Sequence, residues 1–299
     1  MTPPVVAPVD PAARAGPGTA PGPAAAEARA TEVDPQAWLQ ACLTEPGPAV
    51  ARHRLPDGRW AWVKRAGARH GPWGYRVLAL LTRVFRLDVL SPVPNPGGTA
   101  AVRNESQRLR ALADRGLCVP RVLAECERGL LIEDIGNPER PGRSLGDELG
   151  DAWPQGSDRL LPPWADGLRA IAAVHAADAC LSQAFARNLV RTPDGRIGFI
   201  DFEDDPLAVL PLAQAQARDW LSYLHSTALA VHESGSTEAA VDVLRKILDE
   251  EPAGVRAALD ASARRMRWLG RLPADRRWGR DLQRTGAAAR LLHRARPPV

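Results

Sequence analysis

The stretch Asn188 to Asp205, NLVRTPDGRIGFIDFEDD, constrains the fold more than any other part of the chain. Leu189, Val190, Ile197, Phe199 and Ile200 are apolar and mostly β-branched or aromatic, the side chains that suit a pleated, half-buried surface. Between them Thr192-Pro193-Asp194-Gly195 supplies one residue with φ preset and one that tolerates φ > 0, which predicts a tight β-hairpin. A hairpin brings its ends together, so the amide of Asn188 is expected beside the carboxylate of Asp201. Both are hard oxygen donors of the kind Mg²⁺ takes. An ordinary surface hairpin with polar ends accounts for the same residues when the stretch is read alone.

A chain of 299 residues can bury one large core or form two lobes sharing a cleft, and 45% apolar content describes a soluble globular protein. The longest apolar-rich run, Val77 to Leu90, is interrupted by Arg83 and Arg86, and the first residues lack the basic-then-apolar layout of a secretory signal. Neither a membrane span nor export is therefore expected. Cys42, Cys118, Cys126 and Cys180 match neither zinc-ligand spacing nor a disulfide framework, which places the chain in a reducing cytoplasm. Net charge is +4, but acidic and basic residues are interleaved and no aromatic-and-basic stripe occurs, so nucleic acid is not an expected partner. The basic residues are nearly all Arg; the lysines are Lys64 and Lys246. A Lys retained against that bias suits a position needing a compact ammonium, although Lys246, in a solvent-facing helical pattern, survives without such a role.

Residues 1–33 are Pro, Ala and Gly with isolated charges and no periodicity, a composition expected to stay disordered. Pro35 to Leu43 has a helical pattern. Two strands follow about the Pro56-Asp57-Gly58 turn, the second delivering Lys64 to its end. Residues 69–90 read as an amphipathic helix with Val77, Leu78, Leu81, Val84 and Phe85 on one side and Arg76, Arg83 and Arg86 near the other. Packing on the strand-rich part is the favoured reading of residues 77–90, with peripheral contact at the inner membrane as the other. Asn104 is expected to cap a helix that carries Glu105 in its first turn and ends at Gly116. Val119 to Ala124 and Gly129 to Glu133 read as strands. From Pro163 onward helices are expected, marked by Trp164 to His175, Leu212 to Val231, Glu238 to Asp249, Ala253 to Trp268 and Arg276 to Arg294. The fold class is thus α+β: a strand-rich N-lobe over 34–133 and a helical C-lobe over 134–296, hinged near Glu133.

Lys64 at a strand end, Glu105 on the next suitable helix, the Gly129 to Asp134 run, and Asn188 followed thirteen positions later by Asp201-Phe202-Glu203 together resemble the protein-kinase-like superfamily. Val63-Lys64-Arg65 with Trp73, Asn104-Glu105 and Val119-Pro120 are most similar to the bacterial lipopolysaccharide-core (Kdo and heptose) kinases. The helical part is similar to aminoglycoside phosphotransferases and RIO-type kinases. The resemblance covers roughly residues 50 to 235.

The resemblance implies a bilobal protein-kinase-like fold that binds ATP with Mg²⁺ and phosphorylates a hydroxyl-bearing acceptor, a small molecule or a glycolipid. Lys64 would reach the α- and β-phosphates and Glu105 would hold its ammonium; a surface cation and a helix N-terminal carboxylate are the plain alternatives. Asp201 would bind Mg²⁺ and Asn188 a second metal, with Glu203 alongside. The carboxylates of Glu203, Asp204 and Asp205 repel one another unless a cation is present, although a solvated acidic turn also fits. Glu133 to Gly136, Ile135 among them, would present backbone groups to adenine. Asp219 would brace the catalytic loop from a helix, and His175 reads as a packed structural histidine.

Three departures from the pattern stand out. The place of the usual catalytic Asp is held by Gln183, whose amide orients a hydroxyl but cannot take its proton. No Gly-rich loop precedes Lys64. Lys64 and Glu105 are forty-one positions apart, longer than the usual arrangement. A pseudokinase that binds nucleotide as a regulatory or scaffold subunit, or a kinase-like AMP transferase, are therefore the alternatives to a phosphotransferase.

Overall fold

The computed structural model describes residues 34–67, 93, 97–136, 138, 142–181, 183–272, 277 and 279–296. The expected tail 1–33, the helix 69–90 with its membrane-contact reading, and most of the loop after it lie outside the described residues. The chain is α+β, with eight α-helices, a four-stranded antiparallel sheet and a separate two-stranded hairpin among the described residues.

Helix α1, Pro35–Thr44, starts where Asp34 accepts a hydrogen bond from Gln36 N at 2.9 Å, with Pro in the first turn, where its missing N–H costs nothing. Strands β1 (Val50–Arg54), β2 (Trp60–Arg65), β3 (Val122–Cys126) and β4 (Gly129–Glu133) form a sheet in the order β1-β2-β4-β3. Period-two alternation decides what each face of β2 does. Ala61 and Val63 turn to a small core with Leu39 and Leu43 of α1 and with Leu131 of β4. Trp62 and Lys64 therefore turn to the opposite face, toward the main core that holds Leu130 and Ile132.

Gly129 is where β4 passes closest to the strand carrying Lys64. A Cβ there would sit 2.7 Å from the Lys64 carbonyl oxygen and 3.0 Å from a Leu43 methyl. Gly129→Ala is expected to cost about 1–3 kcal/mol in urea unfolding, because backbone and a packed side chain must both give way. Gly150→Ala, where an added Cβ meets nothing within 4 Å, is expected to be neutral or stabilising by a few tenths of a kcal/mol, roughly the helix-propensity gain.

Helix α2, Gly98–Ala113, begins six residues before the expected cap. Asn104 is therefore an interior residue whose side chain donates to Glu203 O at 2.9 Å, rather than to its own helix end. The start was missed because Gly97 at the cap makes no side-chain hydrogen bond and 98–101 carry no charge pattern. On α2, Val102, Glu105, Leu109 and Leu112 are buried at helical spacing, so Glu105 occupies a position on the apolar stripe. Strand β3 starts at Val122 instead of Val119, since Pro120 has no N–H to give a ladder.

Helix α3 (Leu145–Ala152) was not expected; Ser144 and Asp147 close a capping box at its start. Helix α4 runs Ser157–Ala176, beginning before Pro163 and carrying Pro162 and Pro163 inside. Helices α5 (Leu212–Glu233), α6 (Thr237–Glu250), α7 (Ala253–Met266) and α8 (Arg280–Ala295) complete the helical part, with a 3₁₀ turn Arg267–Arg271 after α7. Trp164, Phe202, Trp220 and Tyr223 are its fully buried anchors. Trp164 donates from Nε1 to Thr227 Oγ1 at 3.0 Å, and Tyr223 donates to Trp164 O at 2.9 Å, so the polar ends of both rings are satisfied. Among the described residues no helix is long and apolar enough to cross a membrane.

Candidate active site

The hairpin forms as expected, with β5 (Leu189–Arg191) paired to β6 (Ile197–Phe199), and its mouth closes on the residues that flank it. Asn188 Nδ2 stands 3.4 Å from Asp201 Oδ2 and donates to Gln183 O at 3.0 Å. Asp201 has φ +72, a left-handed backbone that an aspartate adopts only where its surroundings impose it.

The sheet brings the early half of the chain to the same place. Lys64 Nζ lies 2.7 Å from one Glu105 oxygen and 2.8 Å from the other, 3.4 Å from Asp201 Oδ1 and 3.5 Å from Glu203 Oε1. Glu105 is almost fully buried, and its Oε1 also faces Phe202 N at 3.4 Å. Burial alone would lower the Lys64 pKa; Glu105, Asp201 and Glu203 outweigh it and hold the ammonium above its ordinary value. Burial pushes the Glu105 carboxyl up, against the pull of the Lys64 ammonium. One ammonium thus faces three carboxylates, a surplus of negative charge that favours an added cation.

These residues wall a cavity of about 280 Å³. Lys64, Glu105, Asn188 and Asp201 line one part, and Val50, Ile132, Val190 and Ile200 supply apolar walls from the sheet and from the hairpin. A ligand with a flat apolar body and a charged tail matches that division. Asp134, Ile135 and Gly136 also line it. That segment is fixed by Asp134, which accepts from Gly136 N at 2.9 Å and from Arg52 Nε at 2.5 Å, while Asp134 N donates to Trp60 O at 2.9 Å. Glu133 ends β4 with its N–H given to Arg121 O at 2.9 Å and its carboxylate 3.3 Å from Arg121, outside the cavity lining.

No protein-family model matches the chain, and no curated protein matches it. The functional reading therefore rests on the cavity itself. Among the described residues no group of three or more His, Cys, Asp or Glu side chains is arranged to hold a metal ion alone. The donors at hand are one carboxylate, Asp201, an amide, Asn188, and a second carboxylate, Glu203, 3.5 Å from the Lys64 ammonium. Such a set suits Mg²⁺, which keeps waters and is held by one or two carboxylates plus phosphate oxygens, better than a metal caged by protein.

Residues 179–181 and 183–188, between α4 and the hairpin, are held from below. Asp219, fully buried on α5, accepts from Leu181 N at 2.7 Å and lies 3.3 Å from His175 Nε2, while His175 Nδ1 faces Glu251 Oε1 at 3.0 Å. Gln216 Nε2 donates to Ala179 O at 2.9 Å, and Ser226 Oγ accepts from Ala186 N at 3.0 Å. Asp219 thus braces this segment, and His175 is packed as expected. Gln183 presents its backbone oxygen to Asn188, and its side-chain oxygen stands 3.5 Å from Arg187 Nη2.

Two contributors escaped the sequence reading. Arg108, one turn after Glu105 on α2, pairs with Asp205 at 2.5 Å and donates to Cys180 O at 2.8 Å, tying the acidic segment to the loop below it. Its spacing from Glu105 was the available signal. Glu251 had none, since it meets His175 from 76 positions away.

Proposed function

We propose that the protein is a kinase-like phosphotransferase that uses Mg·ATP to phosphorylate a hydroxyl on a small-molecule or glycolipid acceptor. The observation that carries the proposal is the ion pair of Lys64 and Glu105 on the wall of a cavity that Asp201 also lines, 3.4 Å from the same ammonium. In this reading the fold is bilobal and protein-kinase-like. Residues 34–133 form the smaller lobe, residues 134–296 the larger, and the cavity is the cleft between them.

Each chain residue then has a task. Glu105 holds the Lys64 ammonium toward the phosphates, and its burial fixes the side chain without help from solvent. Asp201 and Asn188 would hold Mg²⁺, with Glu203 beside them, and the ion would supply positive charge against the phosphate oxygens. The backbone of Asp134 to Gly136, Ile135 included, receives the base between Ile132 and Val190. Gln183 orients the acceptor hydroxyl. It cannot take the proton, but phosphoryl transfer passes through a loose transition state in which positioning and charge neutralisation dominate, so transfer is slowed and not abolished.

A second reading is favoured by one observation, the amide at 183 with its oxygen turned to Arg187. It holds that nucleotide is bound without transfer, or that the AMP part moves instead. ATP labelled separately at the α and γ positions, incubated with the protein, Mg²⁺ and candidate acceptors, separates the readings. Label from the γ position on an acceptor is the expected result. Label from the α position, or binding with no transfer, overturns the phosphotransferase assignment.

A further inference from the structure

A second cavity, of about 310 Å³, lies between the 3₁₀ turn 267–271 and helix α8, and shares no residue with the first. Among the described residues its lining is Arg267, Gly270, Arg271, Ala289, Arg290 and His293, three guanidiniums and an imidazole without a carboxylate. Other half-buried arginines of the chain face a carboxylate: Arg52 meets Asp134, Arg108 meets Asp205, Arg191 meets Glu148 and Arg296 meets Asp260. The guanidiniums of Arg267 and Arg271 make no ion pair or hydrogen bond among the described residues.

The cavity is also built. Arg290 is half-buried, and its Nη1 donates to Gly270 O at 3.1 Å. Its path is open because two neighbours have no Cβ: one added at Gly270 would stand 3.3 Å from Arg290 Cγ, and one at Gly286 3.2 Å from Arg290 Nη1. That spends one donor of the guanidinium fork and fixes the rest. One helical turn on, the ring of His293 adds to the lining of the same wall. Like charges brought together on a cavity wall mark the sign of the ligand it suits.

We propose that this cavity is a phosphate-binding site for the phosphomonoester group of a small soluble molecule. Arg290 is the fixed fork at the floor, and Arg267 and Arg271 close over the dianion from the rim. Guanidinium forks match the geometry of phosphate oxygens, and a dianion neutralises the cluster. The site does not depend on the nucleotide reading of the first cavity.

Calorimetric titration of the full chain with inorganic phosphate, in a phosphate-free buffer of constant ionic strength, tests the proposal. We expect saturable binding with a dissociation constant on the order of 1 mM or tighter. Arg267 and Arg271 are exposed, so the double variant Arg267→Gln/Arg271→Gln keeps the fold, checked by circular dichroism. It is expected to weaken binding about tenfold or more, as loss of charge-assisted contacts does. Asp201→Asn is expected to leave the phosphate affinity unchanged. No binding by wild type, or undiminished binding by the double variant, overturns the proposal. In a parallel arm with phosphatidic acid vesicles, vesicle binding without binding of free phosphate overturns the soluble source.

Discussion

Asp201→Asn is expected to lower γ-phosphoryl transfer by about a hundredfold or more, the scale seen when a preorganised electrostatic contact to a transition state is lost. The amide keeps the size and the neighbours of the carboxylate, Asn188 at 3.4 Å and Lys64 at 3.4 Å, and removes only the charge that would hold Mg²⁺. Lys64→Ala is expected to match it. Lys64→Arg is not expected to rescue, because a planar fork cannot replace a compact ammonium that contacts both oxygens of Glu105 and Asp201 beyond them. The measurement is single-turnover transfer of label from the γ position. Retention of activity within tenfold in Asp201→Asn contradicts the assigned role.

The second large effect is on stability. His175 is buried between Asp219 and Glu251. Burial alone would lower its pKa, but hydrogen bonds and charge from the two carboxylates raise it from 6.5 to about 9. The folded state therefore binds this proton more tightly than the unfolded chain does. The stabilisation is complete below about pH 6.5 and is lost as pH rises through about 9. A shift of that size corresponds to about 3 kcal/mol, so urea unfolding midpoints are expected to fall across that window. Asp219 is pushed above its ordinary range by burial, but that effect starts on the acid side, near pH 3.8. Glu251→Gln is expected to move the fall to lower pH. His175→Leu leaves two carboxylates buried without a counter-charge and is expected to cost about 3–5 kcal/mol at pH 6. Midpoints flat from pH 6 to 9 in the wild type contradict the account of this cluster.

Much of the candidate site was legible because it depends on local chemistry. The hairpin and its turn could be read from β-branched residues around Thr192 to Gly195, and strand β2 from the run that ends in Lys64. Their two ends, Asn188 with Asp201 and Lys64 with Glu105, meet in the structure. What stayed hidden depends on distance in sequence or on the lack of a signal. Helix α2 starts at a glycine without a side-chain cap, so its first turns could not be seen. Helix α3 had its signal, Ser144 with Asp147, yet it stands in a Gly-rich stretch that reads as a loop. The meeting of His175 with Glu251 exists only once helices far apart in sequence are packed, and the arginine cavity only once the 3₁₀ turn folds against α8; no periodicity announces either.

The central claim is that the ammonium from the strand and the two oxygen donors at the hairpin mouth serve one ligand. Titration of the protein with ATP, with and without Mg²⁺, tests it most directly, in the wild type, in Lys64→Ala and in Asp201→Asn. The account predicts saturable one-to-one binding that Mg²⁺ strengthens, weakened about tenfold or more in Lys64→Ala and made insensitive to Mg²⁺ in Asp201→Asn. No binding by the wild type, or binding that neither substitution changes, contradicts it.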